Sequence, residues 1–216
     1  MTAREEILQR VSAGVGKSDF AARLATAEAT LASPVRGPQP VLGATLLERF
    51  QAKAESLSST VARVVGPAPA VAAVAQYLAA GALGTNAVVT ADLGAYDWAG
   101  SGLSVRLGAA VDADLVGISS CFCAIAETGT LMLLSGPETP ATVSLLPETH
   151  IALVPVGRIV ATLEDAFALL RAERSGIPRA INFISGPSRT GDIEQTIVLG
   201  AHGPCRVHLV LMEENK

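Results

Sequence analysis

Between two apolar runs, AINFI at 180–184 and VHLVL at 207–211, lies a polar segment that no core would call for, SGPSRTGDIEQ at 185–195. Glycine lets backbone N–H groups turn toward a ligand, hydroxyls add donors, and a guanidinium adds a planar fork that fits carboxylate or phosphate. Ser185, Gly186, Ser188, Arg189, Thr190 and Asp192 are therefore candidates for holding a small anion, with Arg189 as the anchor. The competing reading is a polar turn in which Arg189 pairs with Asp192 or Glu194. A second polar turn, Glu127-Thr128-Gly129-Thr130, separates the apolar stretches CFCAIA and LMLL. Desolvation there would raise the pKa of Glu127 and suit it to proton transfer; otherwise its carboxylate caps nearby N–H groups. Thr128, Gly129 and Thr130 would line the same crevice. His202 is either a proton shuttle or a structural hydrogen-bonding group. Polar turns cluster at the carboxyl ends of strands in open α/β sheets, so Glu127, Arg189 and His202 are expected to share one pocket.

Other chemistries find little here. Cys121 and Cys123 are two positions apart and Cys205 is distant, so no CxxC spacing for zinc or an iron–sulfur cluster occurs. The apolar neighbours of Cys121 and Cys123 favour buried, inert thiols over redox-active ones. Three scattered histidines define no metal site. GVGKS at 14–18 imitates the end of a phosphate-binding loop, but Val11 stands where its first glycine belongs, and a helix pattern precedes it. GSGLSV at 100–105 ends in Val105 where a dinucleotide fingerprint needs glycine. A net charge of −4 argues against nucleic acid. The charged start, MTAREEILQRV, is unlike a signal peptide, and no apolar run reaches the length of a membrane span. A cytoplasmic protein without membrane contact is expected.

The elements that must position these residues alternate. Residues 2–11 read as a helix with Thr2 as N-cap and Glu5 completing a capping box. Residues 21–31 form an alanine-rich second helix, and three prolines within 33–40 mark a linker. Residues 1–40 thus read as a helical extension and 41–216 as the main domain. Helical spacing of Leu42, Leu46, Leu47 and Phe50 is followed by a strand at 61–65, a helix at 70–80 and a strand at 86–90, for which a right-handed βαβ unit is the expected arrangement. Residues 93–107 carry three glycines and read as a loop, over a pocket or exposed. Residues 114–118 form a strand and 121–125 a short buried helical turn. Residues 131–134, with no polar alternation, form a strand buried on both faces, and 150–154 form another. Thr162 opens a helix with Glu164 and Asp165 in its first turn. Strand 181–184 leads into the polar segment.

Three blocks, ADLVGISSCFCAIAETGTLMLLSG, VSLLPETHIALVPVGRIV and ISGPSRTGDIEQTIVLGAHGP, resemble in order and spacing the LutC/YkgG family, the LUD domain of lactate utilisation. Gly191 stands where that family usually has alanine, and Cys205 where it often has arginine. The resemblance implies a three-layer α/β/α fold of the NagB/RpiA/CoA-transferase-like type with the helical extension in front. It also implies a part in oxidising L-lactate to pyruvate beside iron–sulfur proteins, the clusters residing on those partners and no cofactor on this chain. The alternative is a stand-alone enzyme on a small anionic metabolite (a carboxylate, sugar phosphate or CoA ester), with Glu127 as acid/base and Arg189 as anchor.

Overall fold

The computed structural model describes residues 2–15, 19–33, 35–38, 43, 45–191 and 198–214. The chain divides into two compact units, Met1–Gln39 and Pro40–Lys216. The first holds α1 (Ala3–Gly14) and α2 (Phe20–Ala32). The Thr2 hydroxyl accepts the Glu5 N–H, and the Glu5 carboxylate accepts the Thr2 N–H, so the capping box is present. Asp19 caps α2 by accepting the N–H groups of Ala21 and Ala22. Among the described residues of both helices none is buried, so caps and alanine content support them in place of a core.

The second unit begins with α3 (Leu46–Ser56), capped by Thr45 and Glu48, then β1 (Thr60–Val65) and α4 (Pro67–Ala80). β2 (Asn86–Val89), β3 (Ser104–Leu107) and β4 (Val116–Ser120) follow. Next come β5 (Cys123–Ile125), β6 (Thr130–Leu134), α5 (Thr142–Leu145), β7 (Thr149–Pro155) and β8 (Ile159–Val160). The unit continues with α6 (Leu163–Glu173), β9 (Ile181–Ile184), β10 (Arg189–Thr190), β11 (Val198–Leu199) and β12 (Arg206–Glu213).

Six strands form a parallel sheet in the order β1-β12-β7-β4-β2-β3. Its inner strands, β12, β7, β4 and β2, are largely buried on both sides because both faces are covered there, while the edge strands β1 and β3 are partly exposed. On one face Val74 and Leu78 of α4 pack with Ile118, Ile151, Leu153 and Val210. On the other, Phe50 and Ala54 of α3 pack with Ala152, Val154, Leu209 and Leu211. A four-stranded sheet, β8-β5-β6-β9, shares that second face and contributes Ala124, Leu131 and Leu133. Its outer side meets Ala166 and Leu170 of α6 through Cys123, Ile125 and Met132. The fold is thus α/β with a parallel central sheet and helices on both sides of it.

β1 and β2 are parallel strands of one sheet joined through α4, as a βαβ unit requires, with β12, β7 and β4 standing between them. Two local expectations need correction. Residues 121–125 are not a helical turn: Cys123 pairs with Met132 across an antiparallel ladder, and the short run has a core on each side. Residues 93–107 are largely exposed, as a connection would be, but they are not a plain loop. They hold β3, and Trp98 is buried with its Nε1–H donating to the Leu93 carbonyl at 3.1 Å. The strand expected at 181–184 is present as β9; it belongs to the small sheet and pairs antiparallel with β6.

Candidate functional site

The two polar turns do meet. Thr128 donates to Thr130 at 2.8 Å, and the Thr130 and Ser185 hydroxyls lie 2.7 Å apart. Both turns press on the end of α3. Gly129, at φ +70°, leaves room for the backbone at Ala54, which a Cβ would approach to 2.6 Å. Gly186, at φ +80°, does the same against the Leu57 carbonyl. Arg189 donates to the Leu57 carbonyl at 2.9 Å and to the Ser58 hydroxyl at 2.5 Å. A guanidinium on the last carbonyls of a helix satisfies orphan acceptors and complements the dipole. Ser188 is tied through its backbone to Pro204 and Gly200, and Thr190 pairs with Val198. Asp192 and Glu194 lie outside the described residues. Replacing Arg189 with alanine is expected to lower stability by roughly 0.5–1 kcal/mol. A urea midpoint unchanged in Arg189→Ala would show the contact to be idle.

The cleft that His202 lines includes neither Glu127 nor Arg189. Glu127 stands before β6, at the amino end of a strand in the antiparallel small sheet, where the rule for carboxyl ends of parallel strands does not apply. Its backbone N–H donates to the Ala161 carbonyl. His202 is exposed and lines a cleft of about 470 Å³ with Leu145, Glu148, Gly200 and Cys205.

A cavity of about 400 Å³ lies instead outside the carboxyl ends of β2, β4 and β7. From β2 the chain turns over the α4 side, where Leu93, Trp98 and Leu103 are buried. From β4 it turns over the opposite side, where Ala124, Ala126 and Leu131 are buried. Neighbouring strands whose continuations diverge open a crevice, the usual ligand position in such sheets. Thr90 and Asp92 enter it after β2, and Ser119, Ser120 and Cys121 from the end of β4. The far wall holds Arg158, Glu173, Arg174 and Asn182.

Arg158 braces that wall. It donates to the Phe122 carbonyl at 2.9 Å, lies 4.7 Å from the centre of the Phe122 ring, and forms a two-pronged pair with Glu173 at 2.6 and 2.9 Å. The hydrogen bond from Arg158 holds the Glu173 carboxyl below its usual pKa. Ser120 donates to Asp92 at the rim. The backbone N–H of Arg174 donates to the Leu170 carbonyl, and its guanidinium, whose charge also helps to lower the Glu173 carboxyl, is in no hydrogen bond or ion pair among the described residues. On the floor Thr90 and Ser119 are each 2% exposed, and Ser119 Oγ is 2.8 Å from His150 Nε2. Thr90 Oγ1, Asn182 Nδ2 and His150 Nδ1 have no hydrogen-bond partner among the described residues. Burial pushes the Cys121 thiol up to about 12 and Cys123 to about 11, so both stay protonated near neutrality, as inert thiols do. No group of three or more metal-ligating side chains occurs among the described residues.

Residues 47–212 match the LUD domain. The chain belongs to the LUD domain family. Its LUD domain is similar to lactate utilization protein C of Bacillus licheniformis, 37% identical over 102 residues, which is 46% of this chain and 42% of that one. Lactate utilization protein C of an Exiguobacterium species is 40% identical over 108 residues, 49% of this chain and 46% of that one. The matched region thus spans less than half the length of these curated relatives. A crystal structure of a DUF162 family protein from Deinococcus radiodurans shares the fold of the LUD domain, with a TM-score of 0.61 at 24% identity, covering 80% of this chain and 99% of that one.

Sequence reading passed over the residues of this cavity because Thr90, Asp92, Ser119, Ser120 and Asn182 come from separate segments, and each looks ordinary. A signal was present. Thr90 follows Val88-Val89 and Ser119-Ser120 follows Ile118, small hydroxyls closing apolar strand runs.

Proposed function

We propose that this chain serves lactate utilisation by holding a small hydroxy or oxo acid in the cavity at the ends of β2 and β4. The observation that carries this reading is the makeup of that cavity. Asp92 and Arg174, one carboxylate and one cation, stand at its rim over buried polar atoms of Thr90 and Asn182 that lack partners among the described residues. A 2-hydroxy acid matches both signs, its carboxylate facing Arg174 and Asn182 and its hydroxyl donating to Asp92. The names of the relatives supply the metabolic setting. In this reading the two electrons that leave L-lactate as it becomes pyruvate pass to iron–sulfur proteins acting as partners, the two protons go to water, and this chain carries no cofactor of its own. It works in the cytoplasm; no helix among the described residues is long and apolar enough to cross a membrane.

Deleting the gene in its host is expected to abolish growth on L-lactate as sole carbon source while leaving growth on glucose intact. The wild-type gene should restore growth, and one encoding both Asp92→Asn and Arg174→Ala should not. Tagged protein from lactate-grown cells should bring down iron–sulfur proteins identifiable by mass spectrometry. Undiminished growth of the deletion strain on L-lactate would refute the role.

A further inference from the structure

We infer that His150 is a positioning residue that turns the hydroxyl proton of Ser119 into the cavity, making Ser119 a committed donor to a carboxylate oxygen of the bound acid. This rests on the proposed acid site and names the part of it that fixes the ligand.

β4 and β7 are neighbours, with Gly117 opposite His150 and Ser119 opposite Ala152. Ala152 faces the small sheet, so Ser119 and His150 project to that same side, diagonal to each other. Their contact at 2.8 Å lies in the interior, His150 being 0% and Ser119 2% exposed. Ser119 lines the cavity and His150 does not. The position of one proton decides what the pair does. If Ser119 donated to Nε2, the ring proton would sit on Nδ1, a buried N–H with no acceptor. Orphaned buried N–H groups are rare and costly, whereas a bare lone pair on a ring nitrogen is tolerated better. The alternative places the proton on Nε2, which donates to Ser119 Oγ and leaves Nδ1 as the bare lone pair. A doubly protonated ring would orphan an N–H as well, and burial opposes it by pulling His150 down to about 4.

With its oxygen accepting from below, the Ser119 O–H has the cavity as its open direction. Serine therefore keeps its proton and offers it to a ligand, and histidine does not take it as a base. That separates the pair from a serine–histidine nucleophile, in which the proton runs the other way. Thr90 continues the floor. Val89 pairs with Ile118, which sets Thr90 beside Ser119, and its Oγ1 has no partner. Two adjacent hydroxyls at the bottom of a crevice fit the acceptor lone pairs of a carboxylate.

The test has two parts on the purified full chain. Long-range nitrogen–proton correlation NMR at neutral pH reads the tautomer of His150 directly and needs no ligand. A proton on Nε2 is expected; a proton on Nδ1, or on both nitrogens, overturns the inference. Calorimetric titration with L-lactate and with pyruvate then compares variants. Ser119→Ala is expected to weaken binding about tenfold. His150→Phe should weaken it comparably without touching the ligand, and His150→Gln, which keeps a donor near Nε2, should recover most of it. Wild-type binding that Ser119→Ala leaves unchanged overturns the inference. Failure of the wild type to bind either acid overturns the inference and the acid site together, while the growth experiment still decides the role in lactate utilisation.

Discussion

Between pH 7 and pH 4 the folded chain is expected to lose several kcal/mol of stability, chiefly through His150 and His208. Burial pulls both to about 4 from an ordinary value of 6.5. His150 lies against Ser119 beneath the cavity. His208, on β12, is hydrogen-bonded to Thr60 at 2.8 Å and stacked on Tyr77 with ring centres 3.9 Å apart. The folded pKa is the lower one, so between 6.5 and 4 the unfolded chain binds more protons than the folded one. Stability contributed by these rings is whole above about 6.5 and drains as pH falls through the folded value. A gap of this size amounts to roughly 3 kcal/mol per ring, against a total of about 5–15 for a typical domain. Urea midpoints at pH 7, 6, 5 and 4 measure it. His208→Gln should show a shallower decline than the wild type. A midpoint flat from pH 7 to 5 would mean that water reaches both rings.

Gly117→Ala is expected to cost about 3 kcal/mol or more, a large effect for one methyl group. A Cβ at Gly117 would sit 2.0 Å from the Val143 carbonyl oxygen and 3.0 Å from the Pro147 ring. The obstacle is backbone of α5, so no side chain can swing aside. Either α5 lifts from the sheet or β4 bends. Lifting α5 would also displace Ala141 and Ser144, which line the cavity, so acid binding should fall along with stability. Denaturant melts of wild type and variant measure the first effect and calorimetry the second. A loss under about 1 kcal/mol would show α5 to be free to shift.

Much of this architecture was legible in the sequence because its local signals were strong. Thr2 with Glu5 and Thr162 with Asp165 marked helix starts that the structure places at the same residues. The run at 131–134 lacked polar alternation, and β6 is buried on both sides, between the central sheet and α6. What periodicity could not convey was partnership. Cys121–Ile125 is too short to declare a period, so only the ladder to β6 reveals a strand. β3 is an edge strand flanked by glycines and looks like a loop until β2 is placed beside it. Arg189 drew attention as a cation among glycines, but Gly186 admits the end of α3, and the arginine caps it. The cavity was hidden for the opposite reason: its floor is made of small hydroxyls whose meaning depends on which strands are neighbours.

The position of β12 bears on how the chain is made. Among the described residues β1 has no hydrogen-bonded neighbour in the sheet except β12, and the contact from Thr60 to His208 spans 148 positions. On a ribosome adding about 5–20 residues each second, β1 therefore emerges many seconds before its partner exists. During that wait an unpaired strand edge stands exposed beside β7, which is waiting for the same partner. The nascent chain thus passes through a stage with an open slot in its sheet that one specific segment must fill, and chaperone demand should be greatest there.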